Sequence, residues 1–434
     1  MRKGIITLII AALTTAVIKA QESLPEAQSS EPIEAQYMKG FPPPPDKRIS
    51  AADGSFFEFP ALRYSIVHMR EFMPTVNVPR GNSHPPCDFR RAIDENIDTL
   101  TFLPTGATEP VTWAQSLALN YTDGILILHR GTIVYEKYFG ELTPGGVHAL
   151  MSVTKSFTGI LASVLVAEGK LDTTKLVGEY IPQLARSGFG DATVREIMDM
   201  TTAIKYSEDY NDPNADVWKF SAAGNAMIPH PEGTPQGFYD YLPTLLKEGE
   251  HGNIFGYSTA NAEVLGWLVA TVSGKSVATL LDELIWSKMG MEQDAYYQID
   301  ALGTPFAGGG LNASLRDIAR VGEMMRRGGL WQGEQIIPRK AIEDILKGGS
   351  KEAFAASIYG KTLKGWSYRN MWWITENANG AYMARGVHGQ AIYIDPAAQM
   401  VIVRLASSPH SSNLELDATS LPAYEAVSRY LLQK

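Results

Sequence analysis

"HALMSVTKSFTGILASVLVAEGKL", His148 to Leu171, sets a hydroxyl and an amine three residues apart at the head of an apolar run. Apolar residues recur there at helical spacing, and Gly169 stands where such a helix should stop. At i and i+3, Ser152 and Lys155 share one helix face with their Cβ atoms about 5–6 Å apart. A serine is a weak nucleophile until a base takes its proton. A lysine is a base only when neutral, a state favoured by burial and by nearby positive charge. The first turn of a helix favours developing negative charge, and the backbone N–H of Ser152 can point at an oxyanion. The competing reading is a helix cap beside a solvated amine. About one or two Ser-x-x-Lys are expected by chance in a chain this long, and the chain has one. An amine at the head of so apolar a helix is, however, poorly placed for solvation.

Outward from this stretch the order of elements suggests the fold. "GILILHRGTIVYEKYFG" before it holds two β-rich runs joined by Arg130-Gly131, a hairpin signal. "ATVREIMDMTTAI", "AEVLGWLVATVSG" and "SVATLLDELIWSKMG" read as helices, and Tyr206 to about Gly252 as loop-rich. "ASLRDIARVGEMMRRGG" reads as a helix with Ser314 and Asp317 in a capping-box arrangement. "MWWIT", "QAIYID" and "MVIVRLASS" read as strands, and "TSLPAYEAVSRYLLQ" as a closing helix. Hairpin, helices, strands and last helix predict an α+β fold: an antiparallel sheet flanked by helices, with a mostly helical insertion over roughly 176–300.

The remainder bounds the function. Of 434 residues, 45% are hydrophobic and 20% charged, which suits a globular core. Arg2 and Lys3, the apolar run "GIITLIIAALTTAV" and then "IKAQ" predict a signal peptide over 1–20, cleaved after Ala20. That run is short for a membrane span, so no stable span is expected after cleavage. Cys87 is the only cysteine, which excludes an intrachain disulfide. Export without disulfides points to a bacterial periplasm, or to secretion. Residues 21–110 read as a proline-rich arm followed by an extension packed on a main domain over 111–434. A net charge of −9 without a basic block argues against nucleic-acid binding. Scattered histidines and the absence of Cys-x-x-Cys argue against a metal site.

A rival nucleophile is Ser258 in "GYSTA", which imitates a Gly-x-Ser-x-Gly elbow. That elbow needs a strand before it and βαβ alternation around it, and "HGNIF" is a poor buried strand.

"SVTKSFTG", followed by "FGYSTANAEVLGWLV", resembles the serine-reactive β-lactamase and penicillin-binding family, and most of all its class C branch with the related esterases. "YSEDYNDPNAD", "GGGLNASLRDIARVG", "GVHGQAIYIDP" and "RYSIVHMREFMPTVNVPRG" are similar to the 6-aminohexanoate-dimer hydrolases within that superfamily. The resemblance spans nearly all of the chain after residue 20 and implies a β-lactamase/transpeptidase-like fold. It implies catalysis by Ser152, Lys155 and Tyr257, with Tyr210 on the scissile amide and a sheet edge near "RGVHG" lining the site. Ala384-Arg385-Gly386 falls opposite the superfamily's Lys-Thr-Gly, which puts the Val387 N–H beside that of Ser152 in an oxyanion hole. "GKTLKG" at Gly360–Gly365 is a decoy for that motif, since no tight hairpin follows it. Thr259 stands where class C has the asparagine that helps hold β-lactams, which argues against an efficient β-lactamase. His388 is open between substrate contact and a hydrogen bond within the strand turn. Asp209 and Asp216 are candidates for a cationic substrate end.

The expected function is hydrolysis of an amide or ester in a small molecule or short peptide through an acyl-enzyme on Ser152, with no cofactor. A carboxylesterase, a D-amino-acid peptidase and a non-catalytic peptide or peptidoglycan binder are the alternatives.

Overall fold

The computed structural model describes residues 26–82 and 84–434. The expected signal segment and its cleavage point lie outside the described residues. One sheet dominates. Its strands are β1 (Arg90–Arg91), β2 (Thr122–His129), β3 (Thr132–Tyr138), β4 (Ser367–Arg369), β5 (Trp372–Ile374), β6 (Tyr382–Gly386), β7 (Gln390–Asp395) and β8 (Met400–Ala406). They lie in the order β4-β5-β6-β7-β8-β2-β3-β1. Neighbours are antiparallel, except that β1 runs parallel to β3 at the edge. The β2–β3 hairpin turns through Arg130 at φ 51° and Gly131 at φ 75°. Two positive φ values make the turn whose twist matches that of the strands.

Helix α1 (Val153–Ala167) is buried along almost its whole length. A helix apolar on every side belongs inside a core, and this one packs against α2 (Thr259–Ser273). At Gly159 a Cβ would meet the Asn370 carbonyl oxygen at 2.2 Å, so the helix touches the chain entering β5 backbone to backbone. Helices α3 (Leu315–Arg326) and α4 (Asn413–Leu431) cover opposite faces of the sheet. Gly322 of α3 lies over Ile392, whereas Tyr424 of α4 packs on Tyr393, and adjacent strand residues face opposite ways. The architecture is the expected α+β arrangement. Among the described residues no single helix is long and apolar enough to cross a membrane.

Two local readings change. "ATVREIMDMTTAI" is helical only over Val194–Met198, because Met200 at φ 52° turns the chain away. Asp317 does not reach back to its N-cap backbone. Ser314 accepts from the Asp317 N–H, while the Asp317 carboxylate accepts from the N–H groups of Glu292 and Gln293.

Residues 26–82 are more than a packed extension. Thr75–Val78 pairs with Ala295–Gln298 in a second, four-stranded sheet that also holds Leu311–Ser314 and Val147–Ala149. Arg63, almost fully buried, donates to the Ala27 carbonyl, to Ser30 Oγ at 3.0 Å and to Ser407 Oγ at 3.2 Å. It also lies 3.3 Å from Glu31. The described part of the proline-rich arm is thereby fastened, through Arg63, to Ser407, just past β8 near the far end of the chain.

Candidate active site

The strand Val147–Ala149 delivers the chain to Met151, which adopts φ 47°, and then to Ser152 at the N-terminus of α1. Ser152 occupies the N-cap position but makes no side-chain cap hydrogen bond. Its Oγ instead accepts from Lys155 Nζ at 2.8 Å. Lys155 is 1% exposed, and its amine also donates to Thr259 Oγ1 at 3.0 Å and to the Gly308 carbonyl at 2.7 Å. The helix-cap reading of Ser152 and the solvated reading of Lys155 both fail.

Burial pushes the Lys155 amine down to about 8, and the carboxylates of Glu208 and Glu263 partly offset this by favouring the cation. A neutral amine is therefore within reach near neutral pH, and it accumulates as pH rises through that value. For an uncharged ester substrate, kcat/KM should climb about tenfold per pH unit below pH 8 and level off above it. A pH–rate profile from pH 5.5 to 9.5 checks this; a flat profile would remove Lys155 as the base.

Tyr257 sits just before α2, 5.2 Å from Lys155 Nζ at its ring centroid, in a box formed by Trp373, Tyr359 and Tyr368. Burial and then the Glu208 carboxylate push the phenol well above its ordinary value, against smaller effects of Ser152 and Arg385. The phenol therefore favours its protonated form. One amine is near it, and Arg385 is committed to Asp417 at 2.5 Å.

Strand β6 brings the expected oxyanion segment to the nucleophile. A Cβ on Gly386 would lie 3.0 Å from the Ser152 nitrogen and 2.7 Å from the Leu150 carbonyl oxygen, so only glycine lets the two backbones approach. Val387 follows and lines the same cavity as Ser152. Met151 and His388, next in chain to these two residues, both hold left-handed backbone, at φ 47° and 63°. Such conformations cost about 1–3 kcal/mol each and cluster at functional sites.

His388 is a correction. Its Nδ1 lies 2.7 Å from the Ser408 carbonyl oxygen and its ring packs edge-on against Phe57. Burial pushes its pKa down to about 4. It is absent from the cavity wall, so the strand-turn reading replaces substrate contact. Tyr210 does line the cavity, edge-on to Trp218, with its hydroxyl donating to Glu208 Oε1 at 3.3 Å. Asp209 and Asp216 are spent on local turns: Asp209 accepts from the Asn211 N–H, and Asp216 accepts from the Ser207 N–H and from Lys219. Ser258 is buried, its Oγ has no hydrogen-bond partner, and no strand leads into it. It has no base and is not an elbow nucleophile. Lys361 of the decoy motif is exposed in a short helical turn.

Three residues at the site, Glu208, Glu263 and Gly308, escaped the sequence reading. Glu208 accepts from both the backbone N–H and the hydroxyl of Thr259. It thereby fixes the oxygen that Lys155 contacts. Thr259 itself holds the lysine, so it does more than mark a missing asparagine. Glu263, 0% exposed, accepts from the N–H groups of Ala307 and Gly308, which sets the Gly308 carbonyl against Lys155. Burial pushes the Glu263 carboxyl up to about 8. Glu208 and Gly308 lie inside the "SEDY" and "GGGLNAS" blocks, where the signal was available.

A cavity of about 320 Å³ opens from Ser152 and Lys155. It is bounded on one side by Phe56, Phe57, Met69 and Met73, all from the N-terminal extension.

The family model described as Beta-lactamase matches residues 121–423. A 6-aminohexanoate-dimer hydrolase of Paenarthrobacter ureafaciens is 33% identical over 355 residues, which cover 82% of this chain and 88% of that protein. A solved structure from Bacillus anthracis, provisionally assigned the same activity, is 31% identical with a TM-score of 0.79, covering 88% of this chain and 97% of its own. A penicillin-binding protein homologue from Caulobacter crescentus, 15% identical with a TM-score of 0.53 over 72% of this chain and 96% of its own, shares the fold.

Proposed function

Given that this chain belongs to the beta-lactamase family, as a serine hydrolase of amide or ester bonds, we propose that Ser152 is its acylated nucleophile, Lys155 the base and Tyr257 the proton donor to the leaving group. The observation that carries this reading is the 2.8 Å hydrogen bond from a buried lysine to an uncapped serine hydroxyl. Neutral Lys155 takes the Ser152 proton as Oγ attacks the carbonyl carbon. The N–H groups of Ser152 and Val387 hold the oxyanion, a contribution worth about 10²–10³ in rate per donor in comparable sites. The proton on Lys155 returns through Tyr257 to the departing nitrogen or oxygen. A water that gives its proton to Lys155 then attacks the acyl carbon, and Ser152 leaves with a proton restored. The relative's name makes a linear amide a reasonable natural substrate, and Tyr210, which lines the cavity with Ser152, is the side chain we expect at its scissile bond.

We further propose that the protein works outside the cytoplasm, on the strength of its basic-then-apolar first twenty residues and single cysteine.

Trapping tests the chemistry. Excess p-nitrophenyl ester followed by acid quench should add one acyl mass to the peptide containing Ser152. An adduct on Ser258, or no adduct despite turnover, would overturn the assignment.

A further inference from the structure

The walls of the cavity restrict what can be attached to the carbonyl. Among the side chains lining it, Lys155 and Tyr210 alone can carry charge, and both belong to the reaction centre. Most of the rest is apolar, including Phe56, Phe57, Met73, Trp218, Phe220 and Phe306, with Ser221, Asn225 and Gln298 as uncharged polar side chains outside the reaction centre. No carboxylate is left to meet a cation. Glu208 is held by Thr259 and Tyr210, Asp209 by Asn211, and Asp216 by Ser207 and Lys219. An ammonium brought here without a partner would lose its hydration for nothing in return. Tyr257, the proton donor to the leaving group, is absent from this wall. On the proposed role of Tyr257, this absence assigns the cavity to the acyl side of the scissile bond. Its volume of about 320 Å³ is roughly twice the ~150 Å³ that accepts benzene in a protein core.

Resting on the Ser152 reading above, we propose that the cavity is an acyl pocket for an uncharged, apolar chain of about six to eight carbons, aliphatic or aryl-alkyl. The substrate is then a medium-chain acyl amide or ester, and a chain ending in an ammonium group is disfavoured. The acyl chain of a 6-aminohexanoate dimer ends in an amine, so this chain should part from the substrate named for its Paenarthrobacter relative. The N-terminal extension acts here as a specificity element, since it supplies one whole wall.

The test compares p-nitrophenyl esters from acetyl to decanoyl, together with the 6-aminohexanoyl ester, on the full-length protein. kcat/KM should rise about three- to fourfold per methylene until the pocket fills near octanoyl. The 6-aminohexanoyl ester should fall at least about 30-fold below the heptanoyl ester of equal length. Alkyl acetates with a lengthening alcohol should show no such rise. Ile228→Glu, which sets a carboxylate on the half-buried cavity wall, should cut the heptanoyl-to-aminohexanoyl ratio at least about tenfold. A flat profile beyond acetyl, equal rates for the charged and uncharged chains, or a rise that follows the alcohol instead would overturn the acyl pocket while leaving the Ser152 mechanism intact. Absence of both turnover and acyl-enzyme with every ester would instead remove the mechanism itself.

Discussion

Ser152→Ala should lower kcat by about 10⁵–10⁶ while KM for a neutral ester changes less than threefold. The alanine loses the atom that bonds to the carbonyl, but the cavity and both oxyanion donors remain. Comparable removals of a serine nucleophile cost about 10⁶, and what survives comes from the oxyanion hole and from binding. The variant should fold as the wild type does, because Ser152 Oγ caps no helix and Lys155, which donates to it, keeps two other acceptors. Single-turnover hydrolysis and labelling by a serine-reactive phosphonate measure the effect. Retained labelling of Ser152→Ala would place the nucleophile elsewhere.

Lys155→Met should cost about 10⁴–10⁵ in kcat, and Lys155→Arg should not restore it. The methionine fills a similar volume without an amine. The guanidinium stays charged at any working pH and cannot take a proton. The double variant Ser152→Ala/Lys155→Met should be no slower than Ser152→Ala alone, because residues acting as one unit are not additive. Additive losses would mean that Lys155 works independently of Ser152. Melting curves separate chemistry from folding, since the Met variant also gives up a buried amine and strands the Gly308 carbonyl.

The fold was legible where local rules agree with one another. Arg130-Gly131 between alternating strands, Gly169 after α1, and the β-rich tail each carry their own signal, and each forms as read. Ser152 and Lys155 were legible as a pair because a helix makes sequence neighbours into spatial neighbours. Glu208 and Glu263 were not singled out, because acidic residues are usually solvated and nothing local marks the two that are sequestered. Their role depends on Thr259 and on the Ala307–Gly308 turn, which the fold brings in from other segments. His388 was undecidable for the same reason: its partner, Ser408, is twenty residues away across a strand pair. The integration of the described part of the extension was hidden too, because short strands with a two-residue or four-residue ladder have no periodicity to read.

The Arg63 anchor also bears on how the chain can mature. Its guanidinium meets Ser407, 344 positions downstream, and β2 pairs with β8 across most of the same span. Such distant pairings must pay for loop closure before they are rewarded, which slows folding and leaves partly built chains exposed. The oxyanion segment at Gly386 likewise reaches Ser152 only from the last strands. A nascent or truncated chain therefore carries its nucleophile without the surroundings that activate it. On the proposed mechanism, hydrolytic competence waits for the carboxy-terminal strands to close onto β2 and bring Gly386 to Ser152.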